Sequence, residues 1–167
     1  MSTGFKEVEV QSVRVHVPSG QHLVILQEKD GGRYLPIWIG IYEANAIALA
    51  LSQVVTERPI THDLIVIMLQ ELGAEVKRVE IVSVDSDVFF AKLFLEIARE
   101  IKEIDSRPSD ALAIAVRLGT KVFVSKEVLD NAGLSSETEE GKMEYGSSIF
   151  KEFINNLDLP DLDNPIL

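Results

Sequence analysis

Two alanine-rich stretches constrain this chain more than any other feature. "EANAIALAL", from Glu43, and "DALAIAVRL", from Asp110, lie 67 residues apart. In that register Ala44, Ala46, Ile47, Ala48 and Leu51 fall on Ala111, Ala113, Ile114, Ala115 and Leu118. Unbroken runs of alanine and leucine predict helices. Each run follows the same kind of approach. "VEVQSVRVHV", "HLVILQE" and "YLPIWIG" precede the first, punctuated by "PSGQ" and "KDGGR"; "EVKRVEIVSV", "VFFAKLFLEI" and "REIKEID" precede the second, with "DSD" at the first turn. Period-two alternation between turn residues predicts three antiparallel strands in each half. An internal duplication of a β-β-β-α unit, over about 8–56 and 76–119, is favoured over the chance likeness of alanine-rich helices. The expected fold class is α+β, with curved mixed or antiparallel sheets packed around central helices and a barrel-like closure as one form they could take.

The remaining segments fill in the plan. "YEANAIALALSQVV" is apolar nearly all round, which predicts a buried helix. "TERPI" interrupts it, because Pro59 disfavours helical geometry at Arg58. An extra helix follows at about 61–73, with Thr61 as its expected N-cap and Gly73 at its end. "TKVFVS" reads as another strand and "KEVLDNAG" as a short helix. One domain over 1–133 is expected, then an acidic, weakly ordered tail over 134–167.

Composition narrows the function. With 167 residues and 46% hydrophobic side chains, the chain is large enough for one good core. No run approaches the roughly 20 apolar residues of a membrane span, and the N-terminus lacks a signal-peptide pattern, so a soluble cytoplasmic protein without a membrane partner is expected. Its apolar content favours a homo-oligomer, a dimer first. The absence of cysteine excludes disulfides, thiolate metal sites and cysteine nucleophiles, leaving oxygen or imidazole to hold any metal. A net charge of −11 disfavours nucleic acid on bulk electrostatics, unless a local basic patch or a bridging divalent cation intervenes. No phosphate loop, nucleophile elbow or zinc-protease helix is present.

The candidate site residues cluster at helix starts. Glu43 and Asp110 occupy equivalent positions in the two halves. Each either complements a helix dipole, or the pair shares a divalent cation or acts as acid and base, with Asp63 and Asp105 adding oxygens. His62 is either a solvated first-turn histidine or a functional one, as metal ligand or general base; His16 and His22 read as surface residues. Arg58 and Arg107 each precede a proline. They either pair with neighbouring carboxylates or clamp phosphate beside helix N-termini. Phe89 and Phe90 read as one inward and one edge-facing strand residue.

The motifs "IGIYEANAIALAL", "RPITHDL" and "IDSRPSDALAIAVR", followed by the strand "VFVS", resemble the bifunctional nuclease domain family of bacteria and plants over roughly Val10 to Gly133. Plant members of that family are described as nucleases acting on RNA and DNA, and most bacterial members as domains of unassigned activity. The resemblance places Glu43, Arg58, Thr61, His62, Asp63, Asp105, Arg107, Ser109 and Asp110 on the family's polar motif positions. The leading expectation built on it is a nuclease acting on single-stranded nucleic acid. In that reading His62, Asp63, Asp110 and Glu43 are catalytic. Arg58, Arg107, Thr61 and Ser109 bind phosphate, and Asp105, Asp110 and Glu43 hold Mg²⁺ or Mn²⁺; no organic cofactor is expected. The alternatives are a non-catalytic module binding an anion or an acidic partner at the Arg-Pro sites, and a purely architectural role for the same ion pairs. Carboxylates clustered with His62 in an open cleft favour the enzyme, and buried saturated ion pairs favour architecture.

Overall fold

The computed structural model describes residues 4–135. They fall within one of the chain's two units, residues 1–137; the other, 138–167, lies outside the described residues, as does nearly all of the expected tail. Strands β1 (Phe5–His16), β2 (Gln21–Glu28) and β3 (Arg33–Ile39) form the first meander, followed by helix α1 (Ile41–Leu51) and helix α2 (Thr61–Glu71). Strands β4 (Ala74–Asp85), β5 (Val88–Ile97) and β6 (Glu100–Ser106) form the second, followed by helix α3 (Pro108–Leu118). The chain continues through β7 (Val122–Ser125), helix α4 (Lys126–Ala132) and the short β8 (Leu134–Ser135).

The register of 67 extends beyond the helices. Moving Arg33–Ile39 by 67 gives 100–106, the bounds of β6; moving Ile41–Leu51 gives 108–118, the bounds of α3. The starts of β2 and β5 correspond in the same way, at 21 and 88.

Separate sheets or a barrel were expected, and one open sheet is found. Its order is β6-β5-β4-β7-β1-β2-β3-β8, so β6 and β8 are the edges among the described residues. The strand β7 causes the merger. Val122 lies opposite Val8 in an antiparallel pair with β1 and opposite Val79 in a parallel pair with β4, stitching the two meanders into one mixed sheet. Every other pairing is antiparallel. Leu134 and Ser135, assigned to the tail from sequence, pair with β3. The exposed edge β6 alternates Glu, Lys and Asp with its two isoleucines, charges that discourage edge-to-edge pairing.

One core unites the layers. Val24, Leu26, Val79, Ile81 and Val124 of the sheet pack with Ile47 of α1 and with Leu112 and Ile114 of α3. The all-round buried helix is α3, not α1 as expected. Seven of its residues, from Pro108 to Ala115, are buried, because it lies against α1, α2, β4 and β5. α1 buries only Ala44, Ala46 and Ile47 and leaves Ile41 and Tyr42 exposed. Small side chains on both helices permit their close approach. Gly119 closes α3 in the left-handed conformation, at φ +65°. Phe89 packs against the core while Phe90 stays exposed, as the strand alternation requires. His16, expected at the surface, is buried: its Nδ1 lies 2.6 Å from Ser19 Oγ and its ring meets Trp38 edge-on.

Candidate functional site

Three helix starts supply the polar cluster. Glu43, Asp63 and Asp110 each occupy the third residue of their helix, where a carboxylate faces the exposed N–H groups and the positive end of the dipole. In α2 this produces half of a capping box, with the Ile60 amide donating to Asp63 Oδ2 at 3.0 Å. Ile60 is therefore the N-cap, and Thr61, expected there, is the exposed first helical residue. In α3 the N-cap is Arg107 and Pro108 follows at the first position, where its missing N–H costs nothing.

Arg107 has no side-chain acceptor for the first-turn amides, and its guanidinium reaches outward. Nε donates to Asp110 Oδ2 at 2.8 Å and Nη2 donates to Glu43 Oε1 at 2.9 Å. The equivalent carboxylates of the two halves are thus joined through one arginine. Gly40 makes room for this arrangement, since a Cβ there would collide with Glu43 Oε2. The other oxygen of Asp110, Oδ1, lies 3.0 Å from Nε2 of His62 on α2. The result is a chain Glu43–Arg107–Asp110–His62 drawn from three helices.

Its electrostatics are directional. Burial raises the Asp110 pKa, but hydrogen bonds from Arg107 and His62 and the charge of Arg107 outweigh it and leave the carboxyl below its ordinary range. Arg107 is held above its usual value, chiefly by its hydrogen bond to Asp110 and then by that to Glu43. An ionised Asp110 only accepts, so the His62 Nε2 carries the proton. The other ring nitrogen, Nδ1, has no hydrogen-bond partner among the described residues, yet it is not sealed from solvent, although His62 as a whole is only 7% exposed. The carboxylate thus fixes one imidazole nitrogen and its tautomer and leaves the other without a partner among the described residues.

Asp63 faces the other way. Its Oδ1 accepts from Nε of Arg117 at 2.6 Å, and Nη1 of Arg117 donates to the carbonyls of Ala46 and Ala113 at 3.0 and 2.9 Å. Burial raises the Asp63 pKa; the Arg117 hydrogen bond and the Ile60 amide overcome it, with a net lowering. Arg117 was missed from sequence. Its signal was present: it is the one charge in the C-terminal half of α3, seven residues after Asp110, and it stands at the position equivalent to Ala50.

The other expected residues lie apart from this chain. Arg58 is exposed in the loop before α2, two residues ahead of the N-cap, with only its carbonyl engaged, by Thr56 Oγ1. Ser109 is buried in the first turn of α3. Asp105 is exposed on β6, opposite Lys92 of β5. Among the described residues no three His, Asp or Glu side chains stand together in a way that could hold a metal ion. Asp105 stands on the edge strand opposite Lys92, and the guanidinium of Arg107 lies between Glu43 and Asp110.

The sequence of the bifunctional nuclease domain matches residues 24–137, more than half of the chain. The protein belongs to the bifunctional nuclease domain family. An uncharacterized protein of Mycobacterium tuberculosis is 41% identical over 161 residues, covering 93% of this chain and 96% of that protein. Bifunctional nuclease 1 of Arabidopsis thaliana is 31% identical over 75% of this chain, and the bifunctional nuclease of Oryza minuta is 28% identical over 92%. This chain spans less than half of those plant proteins, 42% and 47% of their lengths. Among the described residues no helix is long and apolar enough to cross a membrane.

Proposed function

We propose that this family member hydrolyses phosphodiester bonds of single-stranded RNA or DNA, with His62 and Asp110 as its acid–base pair and Arg107 as its phosphate clamp. The observation that carries this reading is the 3.0 Å contact of His62 Nε2 with Asp110, which leaves Nδ1 without a partner among the described residues, on a carboxylate that also accepts from the exposed Arg107. Water attacks phosphorus and gives its proton to Nδ1. The imidazolium, stabilised by Asp110, returns a proton to the leaving alkoxide as the P–O bond breaks. Arg107 is 67% exposed and has N–H groups beyond the two used by Glu43 and Asp110, so it offers phosphate a fork of donors. Arg58, exposed and without an ion pair among the described residues, adds a second cation in an otherwise acidic chain. The plant relatives named as bifunctional nucleases support the reaction class.

The matching bounds of β3 and β6 and of α1 and α3 support the accompanying proposal that the domain arose by duplication, with Arg107 joining the two halves' acids. The exposed Leu64, Ile67, Met68 and Leu72 on one face of α2 support a homodimer, which light scattering on the purified chain measures.

The test is cleavage of labelled single-stranded RNA and DNA by purified protein, with Mg²⁺, Mn²⁺ or chelator, beside His62→Ala and Asp110→Asn. Each variant is expected to lose about 10²-fold or more in rate. The chelator arm decides whether a divalent ion takes part. No cleavage in any arm, or equal cleavage by wild type and both variants, sinks the reading.

A further inference from the structure

A cavity of about 330 Å³ opens between the C-terminal end of α1, the loop before α2 and the last turns of α3, on the Asp63 side of the cluster. Its walls include Leu49, Ile60 and Val116, and its polar groups include Gln53, Asp63 and Arg117. The size is at the lower end of the roughly 300–1,000 Å³ typical of small-molecule sites.

The polar floor is specific. Arg117 is only 9% exposed on its side chain, and its Nε and Nη1 are fully engaged. Nη2 has no partner among the described residues, and it is not one of the atoms closed off from solvent. Asp63 accepts from the Ile60 amide on Oδ2 and from Arg117 on Oδ1, with the Thr56 hydroxyl also within its reach, and a carboxylate has about four lone-pair sites, so it retains acceptor capacity toward the cavity. A donor and an acceptor therefore stand side by side between apolar walls. A simple anion is repelled by Asp63 and a simple cation by Arg117. A flat neutral group that carries an acceptor next to a donor satisfies both.

We propose that this cavity is a nucleobase subsite, in which Arg117 Nη2 and Asp63 read the donor–acceptor edge of one unstacked base while the apolar walls flank its faces. Every nucleobase has such an edge, and bases of single strands are free to leave the stack. The choice of ligand rests on the phosphodiesterase reading. Position agrees with it: Asp110 and Arg117 share one face of α3, two turns or roughly 10 Å apart along the axis, and α2 contacts them with consecutive residues, His62 and Asp63. A base seated against Arg117 places its own strand alongside the His62–Asp110 pair.

The experiment is a ¹H–¹⁵N titration of the full chain with each of the four ribonucleosides, with ribose 5-phosphate as the base-free control. Nucleosides are expected to shift the amides of Gln53, Val54, Val116 and Arg117 saturably, and ribose 5-phosphate to leave them in place. Ala50→Phe, which fills the cavity from α1, is expected to weaken nucleoside binding about tenfold or more. Pocket amides unmoved by every nucleoside, shifts of equal size with ribose 5-phosphate, or wild-type binding by Ala50→Phe would each overturn the proposal. The readout needs no cleavage. Cleavage without nucleoside shifts removes this subsite alone, whereas shifts without cleavage leave the subsite standing and remove the phosphodiesterase.

Discussion

Two arginines of α3 divide this molecule's polar chemistry between them. Arg117, 9% exposed, pairs with Asp63 and holds two backbone carbonyls of α1 and α3; Arg107, 67% exposed, pairs with Glu43 and Asp110 at the other end of the same helix. Both are guanidinium–carboxylate contacts of nearly equal length. Their surroundings make them different objects. Arg117 is itself buried, so its charge carries a desolvation cost that Asp63 and the two carbonyls must offset, and removing it leaves all three short of a donor. Arg107 reaches into water from less exposed carboxylates, so its own charge is screened and its spare donors remain available to a ligand. The first joins α1, α2 and α3; the second stands where a phosphate could displace a carboxylate.

The sharpest way to break this comparison is Arg117→Ala, expected to cost about 3 kcal/mol in urea unfolding because Asp63 and two carbonyls lose their donor. A loss below about 1 kcal/mol would place Arg117 among ordinary surface charges. Next in size is the response to acid. Asp63 and Asp110 both have folded pKa values below their ordinary ones, so their contribution is present above the unfolded value and disappears as pH falls through the lowered folded values. The urea midpoint should hold steady down to about pH 4 and fall below it, less steeply in Asp110→Asn. A smaller effect, about 1 kcal/mol, is expected for Gly40→Ala, whose new Cβ pushes the Glu43 carboxylate off Arg107. Unchanged cleavage in that variant would show that Glu43 does not position the clamp. Arg107→Ala belongs at the same small end, at about 1 kcal/mol by the same unfolding measurement because the guanidinium is screened by water, together with weaker binding of single-stranded nucleic acid at low salt. A large stability loss there would make both arginines architectural.

Much of the site was legible from local chemistry. Acids in the first turn of three helices, a proline after Arg107 and a histidine before Asp63 are all written in short segments, and of these Glu43, Arg107, Asp110 and His62 converge. What escaped depended on contacts between distant segments. Asp63 looked like a partner for His62 and Asp110 because it is adjacent in sequence, but consecutive helical residues project about 100° apart, so it turns to Arg117. Asp105 looked close to Asp110, yet it lies on an exposed edge strand and Asp110 inside the next helix. His16 was misread because the ring that meets it, Trp38, belongs to β3.

By itself, the sequence determined the order of the elements from β1 to α4. Strand alternation, turn residues and two alanine-rich helices in a register of 67 are local properties, and local backbone preferences suffice to read them. Tertiary structure alone decided that the two meanders share one open sheet, because the four residues of β7 pair with strands whose nearest ends lie more than thirty positions away in sequence. It alone decided which carboxylate meets which cation. That choice follows from how α2 lies against α3 and from which pair is shielded from water, quantities set by packing between elements.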